Sequence, residues 1–345
     1  MSVGYTSILW NNEKKKYDRG ILLFVLCYLV AFYVLHALLH PLATFETLLI
    51  RAFGILAFFL LHVILVIGPL CRLNPSFLPI LYNRRHLGVS MFLIALIHGG
   101  FSIVQFHTLG NTNPIRSIFL SNTSYLSLSQ FPFQVLGFLA LIILGVMAAT
   151  SHDFWLKNLG IKVWKTLHMF VYVAYGLLIL HVVLGSIQNE KSPIFFGVVV
   201  IGFIGVASIH LIAGFKEKQI DEEKPIVDKD FVRVCPPSEI EEDRAVIVSC
   251  QERIAVFKYG NKVSATSNVC KHQGGPLGEG QVVDGCITCP WHGYQYLPES
   301  GQSPPPFQEK ISTYDVKLED GYIWVNRFAN PEGTPTEPLI LKENE

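Results

Sequence analysis

Six apolar runs, each close to the length that crosses a lipid bilayer, constrain the fold of this chain most. The first extends from Ile21 to Leu39, and a transmembrane helix needs about 20 predominantly apolar residues. Half of the 345 residues are hydrophobic and only 16% are charged, a composition typical of a membrane protein. The other five runs lie at about 48–70, 86–107, 132–150, 165–187 and 194–214. The sequence therefore predicts an all-α bundle of six transmembrane helices.

Basic residues predict the orientation of this bundle. The first run follows a basic segment, but it is too long for a signal peptide and no small-residue cleavage site follows it, so we expect a retained helix. The loops on one side contain Lys14, Lys15, Lys16, Arg19, Arg72, Arg84, Arg85, Lys157, Lys162, Lys165, Lys216 and Lys218. The opposite loops carry little beyond Arg116 and Lys191. The positive-inside rule then places both termini in the cytoplasm and the 108–131 loop outside.

The pattern changes after the sixth run. A charged segment is followed by short alternating stretches such as 245–249 and 253–259, with hairpin turns at 259–262 and 319–322, which indicate a small all-β domain. No low-complexity tract or internal repeat is visible. The predicted organisation is a cytoplasmic N-terminal segment (1–19), a six-helix transmembrane domain (20–214), a charged linker (215–228), the β domain (229–328) and a flexible, Pro-rich tail (329–345).

Two short motifs in the β domain predict a metal centre. Cys270 and His272 are separated by one residue, and Cys289 and His292 by two. Two thiolates and two imidazoles could hold zinc or one edge of an iron–sulfur cluster. A [2Fe-2S] cluster of the Rieske kind needs two Cys on one iron and two His on the other, and here each motif supplies one of each. The glycines and prolines at 274–276, 290 and 293 favour tight loops.

This pattern resembles the Rieske signature over roughly residues 229–328, with a structural zinc knuckle as the alternative. The cysteines that form a loop disulfide in the respiratory-complex type are absent, since Gly274 and Trp291 occupy their positions. Tyr296 matches a tyrosine that hydrogen-bonds a ligand sulfur in high-potential Rieske proteins, whereas Tyr294 replaces the serine of that set. The resemblance therefore implies the low or middle part of a range of about −150 to +300 mV.

Histidines inside the apolar runs are candidate functional residues, because ionisable groups in a membrane are costly. His98 lies in the third run, and His168 and His181 lie in the fifth. Thirteen residues separate the latter two by about 20 Å along a helix, but steps of about 100° leave them on different faces. Two haems would then require a bulge in the helix or positions on different sides of it. His62, in the second run, is open to three readings: an alternative ligand, a proton-handling group, or a partner in an interhelical hydrogen bond.

The segments 83–98 and 150–172 resemble the ferric-reductase-like transmembrane domain, which covers roughly 20–214. The resemblance implies b-type haem between the third and fifth helices. By position, His98 and His181 would bind the haem nearer the outer face, and His168 would bind an inner one. Arg84 stands where two-haem oxidases have the partner histidine, and His86 is two residues away. The haem count, one or two, therefore stays open.

Several activities are excluded for this chain alone. No histidine follows His292, so the two-His-one-carboxylate iron site of a Rieske oxygenase is missing. The sequence contains no GxGxxG turn for a nicotinamide cofactor, no Ser/His/Asp set and no basic stripe for nucleic acid.

These exclusions, with the two resemblances, leave electron transfer in a bacterial inner membrane. We expect electrons to pass between a cytoplasmic reductase or ferredoxin, the cluster and haem, and then to an acceptor at the outer face. Quinone-linked transfer and a redox sensor without turnover are the alternatives.

Overall fold

The computed structural model describes residues 12–39, 44–81, 83–189, 193–222, 225–291 and 293–342. The chain forms two compact units. We call the first the helical unit; it contains Ser7–Ile67 and Asn83–Ile209. We call the second the β-rich unit; it contains Gly68–Tyr82 and His210–Glu345.

Helices make up the N-terminal two thirds of the described chain. They are α1 (Asn12–Leu39), α2 (Phe45–Leu73), α3 (Leu78–Leu81), α4 (Arg84–His107), α5 (Pro114–Leu120), α6 (Phe133–Ala149), α7 (Asp153–Met169), α8 (Val171–Asn189) and α9 (Pro193–Glu222). Among the described residues, five helical segments are long and apolar enough to cross a membrane: Lys15–Leu39, Phe45–Leu73, Arg84–His107, Lys162–Gly185 and Phe196–Gln219. A membrane protein is thereby confirmed. The predicted fourth span coincides with α6, an apolar helix of 17 residues, so the count of six spans stays a prediction.

The fifth predicted span is interrupted between its two histidines. Helix α7 ends at Met169 and α8 begins at Val171. The Phe170 N–H is bonded to the Leu167 carbonyl, three residues back, which tightens the turn relative to an α-helix. His168 and His181 therefore lie on two helices rather than on one straight helix.

Two segments expected to be irregular contain helix. The outer 108–131 loop contains α5, whose first turn is capped by the Asn113 side chain, which accepts from the N–H groups of Ile115 and Arg116. Proline at the first helical position favours the same start. Helix α9 continues to Glu222, because the Lys, Glu and Gln residues of the predicted linker are good helix formers. About half of that linker is therefore an extension of the last span.

The β-rich unit contains three antiparallel sheets. The strands are β1 (Val227–Asp228), β2 (Phe231–Arg233), β3 (Ala245–Ser249), β4 (Arg253–Tyr259), β5 (Lys262–Ser267), β6 (Gln281–Val283), β7 (Cys286–Thr288), β8 (Gln295–Tyr296), β9 (Thr313–Tyr314), β10 (Val316–Glu319), β11 (Tyr322–Asn326) and β12 (Leu339–Ile340). The sheet orders are β1-β2-β11-β10, β12-β5-β4-β3 with β9 on β5, and β6-β7-β8. Val232, Ile254, Val256, Val263 and Ile323 are fully buried between the two larger sheets. The first predicted metal-binding motif lies between β5 and β6, and the second begins directly after β7.

The tail differs from the flexible segment that its proline content predicts. Strand β12 pairs with the edge of β5, and Leu341 packs into the core of the domain. The Gln302 side chain donates to the Gly333 carbonyl and the Thr313 hydroxyl to the Thr334 carbonyl. Residues 329–342 are therefore held to the domain by the pairing of β12 with the edge of β5 and by side-chain hydrogen bonds. A local sequence pattern does not reveal these contacts.

Charged groups of the β-rich unit meet around Glu279. The Arg72 guanidinium lies 3.8 Å from the Glu279 carboxylate, and Arg253 forms an ion pair of 2.8 Å with Glu217. The Lys216 ammonium donates to the Arg72 carbonyl. Burial raises the pKa of Glu279 to about 7, although the positive charge of Arg72 opposes this shift. Glu279 is thus a buried carboxyl group that titrates near neutral pH.

We expect Glu279→Gln to stabilise the protein at pH 8 relative to wild type and to leave it nearly unchanged at pH 5. Between the ordinary value of 4.5 and about 7, the folded state binds more protons at Glu279 than the unfolded state does. The stability of wild type therefore falls as pH rises through that window, by on the order of 2 kcal/mol. Urea unfolding of the detergent-solubilised protein at both pH values measures the difference. Glu299→Gln, which breaks an exposed pair with Lys262, is the control and should show no pH-dependent gain.

Candidate metal-binding sites

Both predicted cluster loops are built by the same backbone turn. The Cys270 carbonyl accepts from the Gly274 N–H at 2.7 Å, and the Cys289 carbonyl accepts from the Gly293 N–H at 2.9 Å. The two glycines have φ values of 70° and 69°, a left-handed conformation that favours glycine. Each turn places a cysteine four residues before a glycine. The shared spacing in the sequence therefore reflects a shared loop geometry.

The two cysteine sulfurs lie in the interior between these loops. Cys270 is 1% exposed and Cys289 is 2% exposed. A Cβ atom at position 275 would lie 2.8 Å from the Cys289 sulfur, so Gly275 allows the first loop to reach the second. The Cys270 N–H donates to the Gly275 carbonyl and holds the loop closed. Two buried thiols, brought together because Gly275 has no side chain, are a suitable pair of ligands for one metal.

Tyr296 supplies a hydrogen bond to this pair. Its hydroxyl oxygen lies 3.5 Å from the Cys270 sulfur and accepts from the Lys271 N–H at 3.0 Å. Because that N–H occupies the oxygen, the hydroxyl proton is directed towards the sulfur. Burial alone would raise the pKa of Cys270, but hydrogen bonds from Cys289 and Tyr296 outweigh it and lower the pKa to about 6. A thiol that ionises readily is prepared to bind a metal.

A second tyrosine, which the sequence does not single out as a contact, packs against a predicted ligand. The Tyr294 ring stacks on the His272 ring with centroids 5.0 Å apart and planes 7° apart. Phe307 covers Tyr294 from another side, and the Tyr294 hydroxyl donates to the Glu309 carboxylate. His272 is thereby oriented by an aromatic wall, which is the kind of support that metal-ligating side chains receive.

The fourth predicted ligand, His292, lies outside the described residues. Within them, no three His, Cys, Asp or Glu side chains are grouped as a metal site. The described features fit a [2Fe-2S] cluster: buried thiols, a hydrogen bond to sulfur and a supported imidazole.

In the helical unit, His98 of α4 and His181 of α8 face each other. Their ring centroids lie 6.4 Å apart and their planes cross at 83°. The His98 Nδ1 is 2.9 Å from the Ile50 carbonyl of α2, and the His181 Nδ1 is 2.8 Å from the Phe133 carbonyl of α6. A carbonyl only accepts, so in both rings Nδ1 carries the proton and Nε2 holds the lone pair.

This pair fits a haem iron. A metal–imidazole bond of about 2 Å on each side, added to about 1 Å from each ring centre to its nitrogen, gives about 6 Å between ring centres. The distance between the His98 and His181 centroids, 6.4 Å, agrees. A ligating histidine also normally donates its other N–H to a carbonyl or carboxylate, as both do here.

Glycine makes room for each of these rings. A Cβ atom at position 54 would lie 2.8 Å from the His98 ring, and one at position 137 would lie 2.7 Å from the His181 ring. Gly54 and Gly137 therefore allow α2 and α6 to approach the two imidazoles closely enough for their carbonyls to accept. These glycines and carbonyls are functional features that sequence reasoning missed. The signal in the sequence is small, because it consists of single glycines in bulky apolar helices.

His168 lies in a different environment. Its Nδ1 donates to the Trp164 carbonyl of its own helix at 3.0 Å, and its ring stacks on Trp164 with centroids 3.9 Å apart. The His168 Nε2 is buried, and in the described part of the chain it has no hydrogen-bond partner. His86, the candidate partner, is paired with Asp18 through Nδ1 at 2.9 Å. No hydrogen bond or ring contact joins His86 to His168 among the described residues, so the inner haem stays a prediction.

The structure gives His62 a structural partner. The His62 Nδ1 donates to the Phe58 carbonyl at 2.8 Å, and the Tyr175 hydroxyl of α8 donates to the His62 Nε2 at 3.1 Å. Both ring nitrogens are therefore engaged between α2 and α8. The interhelical hydrogen bond is the reading of His62 that this geometry supports.

Comparison with known proteins agrees with both predicted domains. The Rieske [2Fe-2S] domain family matches residues 230–315, and the ferric reductase like transmembrane component matches residues 53–179. The chain is 34% identical over 87 residues to the anthranilate 1,2-dioxygenase ferredoxin subunit of Burkholderia cepacia, which is 25% of this chain and 81% of that subunit.

Other similar proteins match about a quarter of the chain. The chain is 32% identical over 97 residues to the vanillate O-demethylase oxygenase subunit of Pseudomonas sp. (strain HR199 / DSM 7063), which is 26% of this chain. It spans only 27% of that relative's length. Among solved structures, the Sphingomonas yanoikuyae B1 ferredoxin is 28% identical with a TM-score of 0.26, over 28% of this chain and 96% of that one.

The two matched families support a role in membrane electron transfer, with an iron–sulfur domain after a helical membrane domain. The chain belongs to the Rieske [2Fe-2S] family, and its Rieske domain is joined to a ferric-reductase-like transmembrane domain. The fusion predicted from the sequence is thereby confirmed, and the Rieske domain supports a [2Fe-2S] cluster.

We expect Tyr296→Phe to lower the midpoint potential of the cluster by on the order of 50 mV, since it removes one hydrogen bond that stabilises the more negative, reduced state. A titration followed by low-temperature EPR measures the shift. Tyr314→Phe is the matched control, because Tyr314 is equally buried but donates to Glu252. An unchanged potential in Tyr296→Phe would contradict the role of its hydroxyl group.

Proposed function

We propose that this protein passes electrons between a cytoplasmic donor, the Rieske cluster and b-type haem. The cluster ligands in this proposal are Cys270, His272, Cys289 and His292, and the haem ligands are His98 and His181. When bound, each group supplies a centre that takes up and releases one electron. The observation that carries the proposal is the opposed pair of imidazoles, 6.4 Å between centroids.

The residues around that pair support a role in holding a metal rather than a purely structural one. His62, whose role is structural, has both ring nitrogens hydrogen-bonded. In His98 and His181, only the Nδ1 protons are committed, to the carbonyls of Ile50 and Phe133. Among the hydrogen bonds of the described residues none involves either Nε2, so both lone pairs remain for a ligand.

An inner haem at His168 is the second part of the proposal. The buried Nε2 of His168 without a hydrogen-bond partner in the described part of the chain supports it. The stacked Trp164 ring holds the imidazole in one orientation. An axial partner for His168 has no support among the contacts of the described residues.

The topology in this proposal has six spans with both termini in the cytoplasm of a bacterial inner membrane. Helix α6 supports the sixth span, since its 17 residues reach the lower limit of a transmembrane helix. The basic residues of alternate loops support the orientation. The donor in this proposal is a soluble reductase or ferredoxin, which the similarity to a dioxygenase ferredoxin subunit supports. The terminal acceptor lies at the outer face.

We expect His98→Ala and His181→Ala each to abolish the absorption of b-type haem while the EPR signal of the cluster persists. Each variant removes one of the two axial nitrogens, and the Rieske domain is a separate part of the chain. His62→Gln is the control, because this intramembrane histidine has both ring nitrogens engaged and should keep its haem. Wild-type protein without haem, or full haem content in both alanine variants, would refute the proposal.

Outward electron flow makes a further prediction for wild type. Titrating the cluster by EPR and the haem by visible absorption in one sample should give a lower midpoint potential for the cluster than for the haem. Electrons then move spontaneously from the cytoplasmic domain towards the membrane. The reverse order of potentials would contradict flow in this direction while leaving haem binding intact.

A further inference from the structure

The contacts that hold the two opposed histidines recur at one fixed distance along the chain. His181 lies 83 residues after His98, and Gly137 lies 83 residues after Gly54. The accepting carbonyls follow the same rule, since each lies 48 residues before its histidine. In each case, the carbonyl stands four residues before the glycine on the same helix.

Further positions obey the same spacing. Gln105 and Gln188 are also 83 residues apart, and each ties the histidine-bearing helix to the start of the carbonyl-bearing one. The Gln105 side chain donates to the Thr47 hydroxyl, and the Gln188 side chain donates to the Phe131 carbonyl. The buried residues of α6 match buried residues of α2 at this spacing: Ala52, Ala57 and Leu61 correspond to Val135, Ala140 and Leu144.

The pair α2 and α4 and the pair α6 and α8 form two halves of the helical unit. A contact from one half to the other has a counterpart in the reverse direction, as a two-fold axis requires. His62 of α2 meets Tyr175 of α8 at 3.1 Å. The corresponding positions are Gly145 of α6 and Phe92 of α4. A Cβ atom at position 145 would lie 3.3 Å from the Phe92 ring, so these two positions are also in contact. The first helix of each half therefore packs against the second helix of the other half.

We infer that α2 with α4 and α6 with α8 are two copies of one structural repeat, and that Gly54 and Gly137 are equivalent positioning residues for the haem ligands. This inference rests on the proposed haem at His98 and His181. Each glycine lets a carbonyl of its own helix accept the Nδ1 proton, and this bond sets the plane of the ring. The two carbonyls together set the crossing angle of 83°.

The crossing angle has a spectroscopic consequence that a structural role alone would not produce. A ferric low-spin haem with crossed imidazole planes gives a strongly anisotropic EPR signal, whereas parallel planes give a rhombic one. The oxidised protein should therefore show the strongly anisotropic type. A methyl group at position 54 or 137 would overlap the ring at under 3 Å and must rotate or displace it.

We expect Gly54→Ala and Gly137→Ala to change the haem in the same way, either by a shift of the largest g value towards the rhombic type or by loss of haem. Gly100→Ala and Gly176→Ala are matched controls in the histidine-bearing helices, because nothing lies within 4 Å of a Cβ atom at either position. EPR of the oxidised haem, haem content and midpoint potential are measured in detergent, with the cluster signal confirming an intact chain.

Three outcomes test the structural repeat and the proposed haem separately. Similar changes in both glycine variants and none in the controls support the repeat. A wild-type signal and full haem content in either glycine variant, or a change in only one of them, would overturn it while the proposed haem stands. Absence of haem from the wild-type protein would instead remove the proposed function on which the inference rests.

Discussion

The hydrogen bond from an imidazole N–H to the carbonyl of a neighbouring helix is the interaction on which the helical unit depends. A histidine inside a bilayer is tolerated only when its polar atoms are satisfied, and a carbonyl has a second lone pair beyond the one used by its helix. The Ile50 and Phe133 carbonyls use that lone pair for His98 and His181. This one hydrogen bond compensates for the burial of the imidazole N–H and selects the tautomer. It also fixes which helices are neighbours.

The two proposed metal sites share one constraint, which is the close approach of a ligand side chain to the backbone of a glycine. In the helical unit, Gly54 and Gly137 bring a carbonyl to an imidazole, and in the Rieske domain Gly275 brings a loop to the Cys289 sulfur. In every case a methyl group would lie within 3 Å of a proposed ligand. The positions of the proposed ligands are therefore set by residues that would not themselves bind the metal. Such residues tolerate substitution poorly although they have no chemistry of their own.

The sequence predicts those features that depend on spacing along the chain and fails for those that depend on packing. Spacing locates the Cys270 and Cys289 loops and helices over the apolar runs, and the resemblance to Rieske proteins implies the contact of Tyr296 with sulfur. The accepting carbonyls of Ile50 and Phe133 have no sequence signature, since any residue supplies a carbonyl and only the packing of helices selects one. The pairing of β12 with β5 was missed for a similar reason, because an open sheet edge is visible only after the sheet has formed.

The repeat also separates what is symmetric in this membrane domain from what is not. On the proposed topology each copy contains two spans, so the copies run in the same direction and their axis lies along the bilayer normal. The two ligands then approach from equivalent surroundings, and the axis exchanges them without exchanging inside and outside. A preferred direction of electron flow therefore cannot come from the ligand pair itself. It must come from features outside the repeat, of which the Rieske domain, joined to the chain after α9, is the largest.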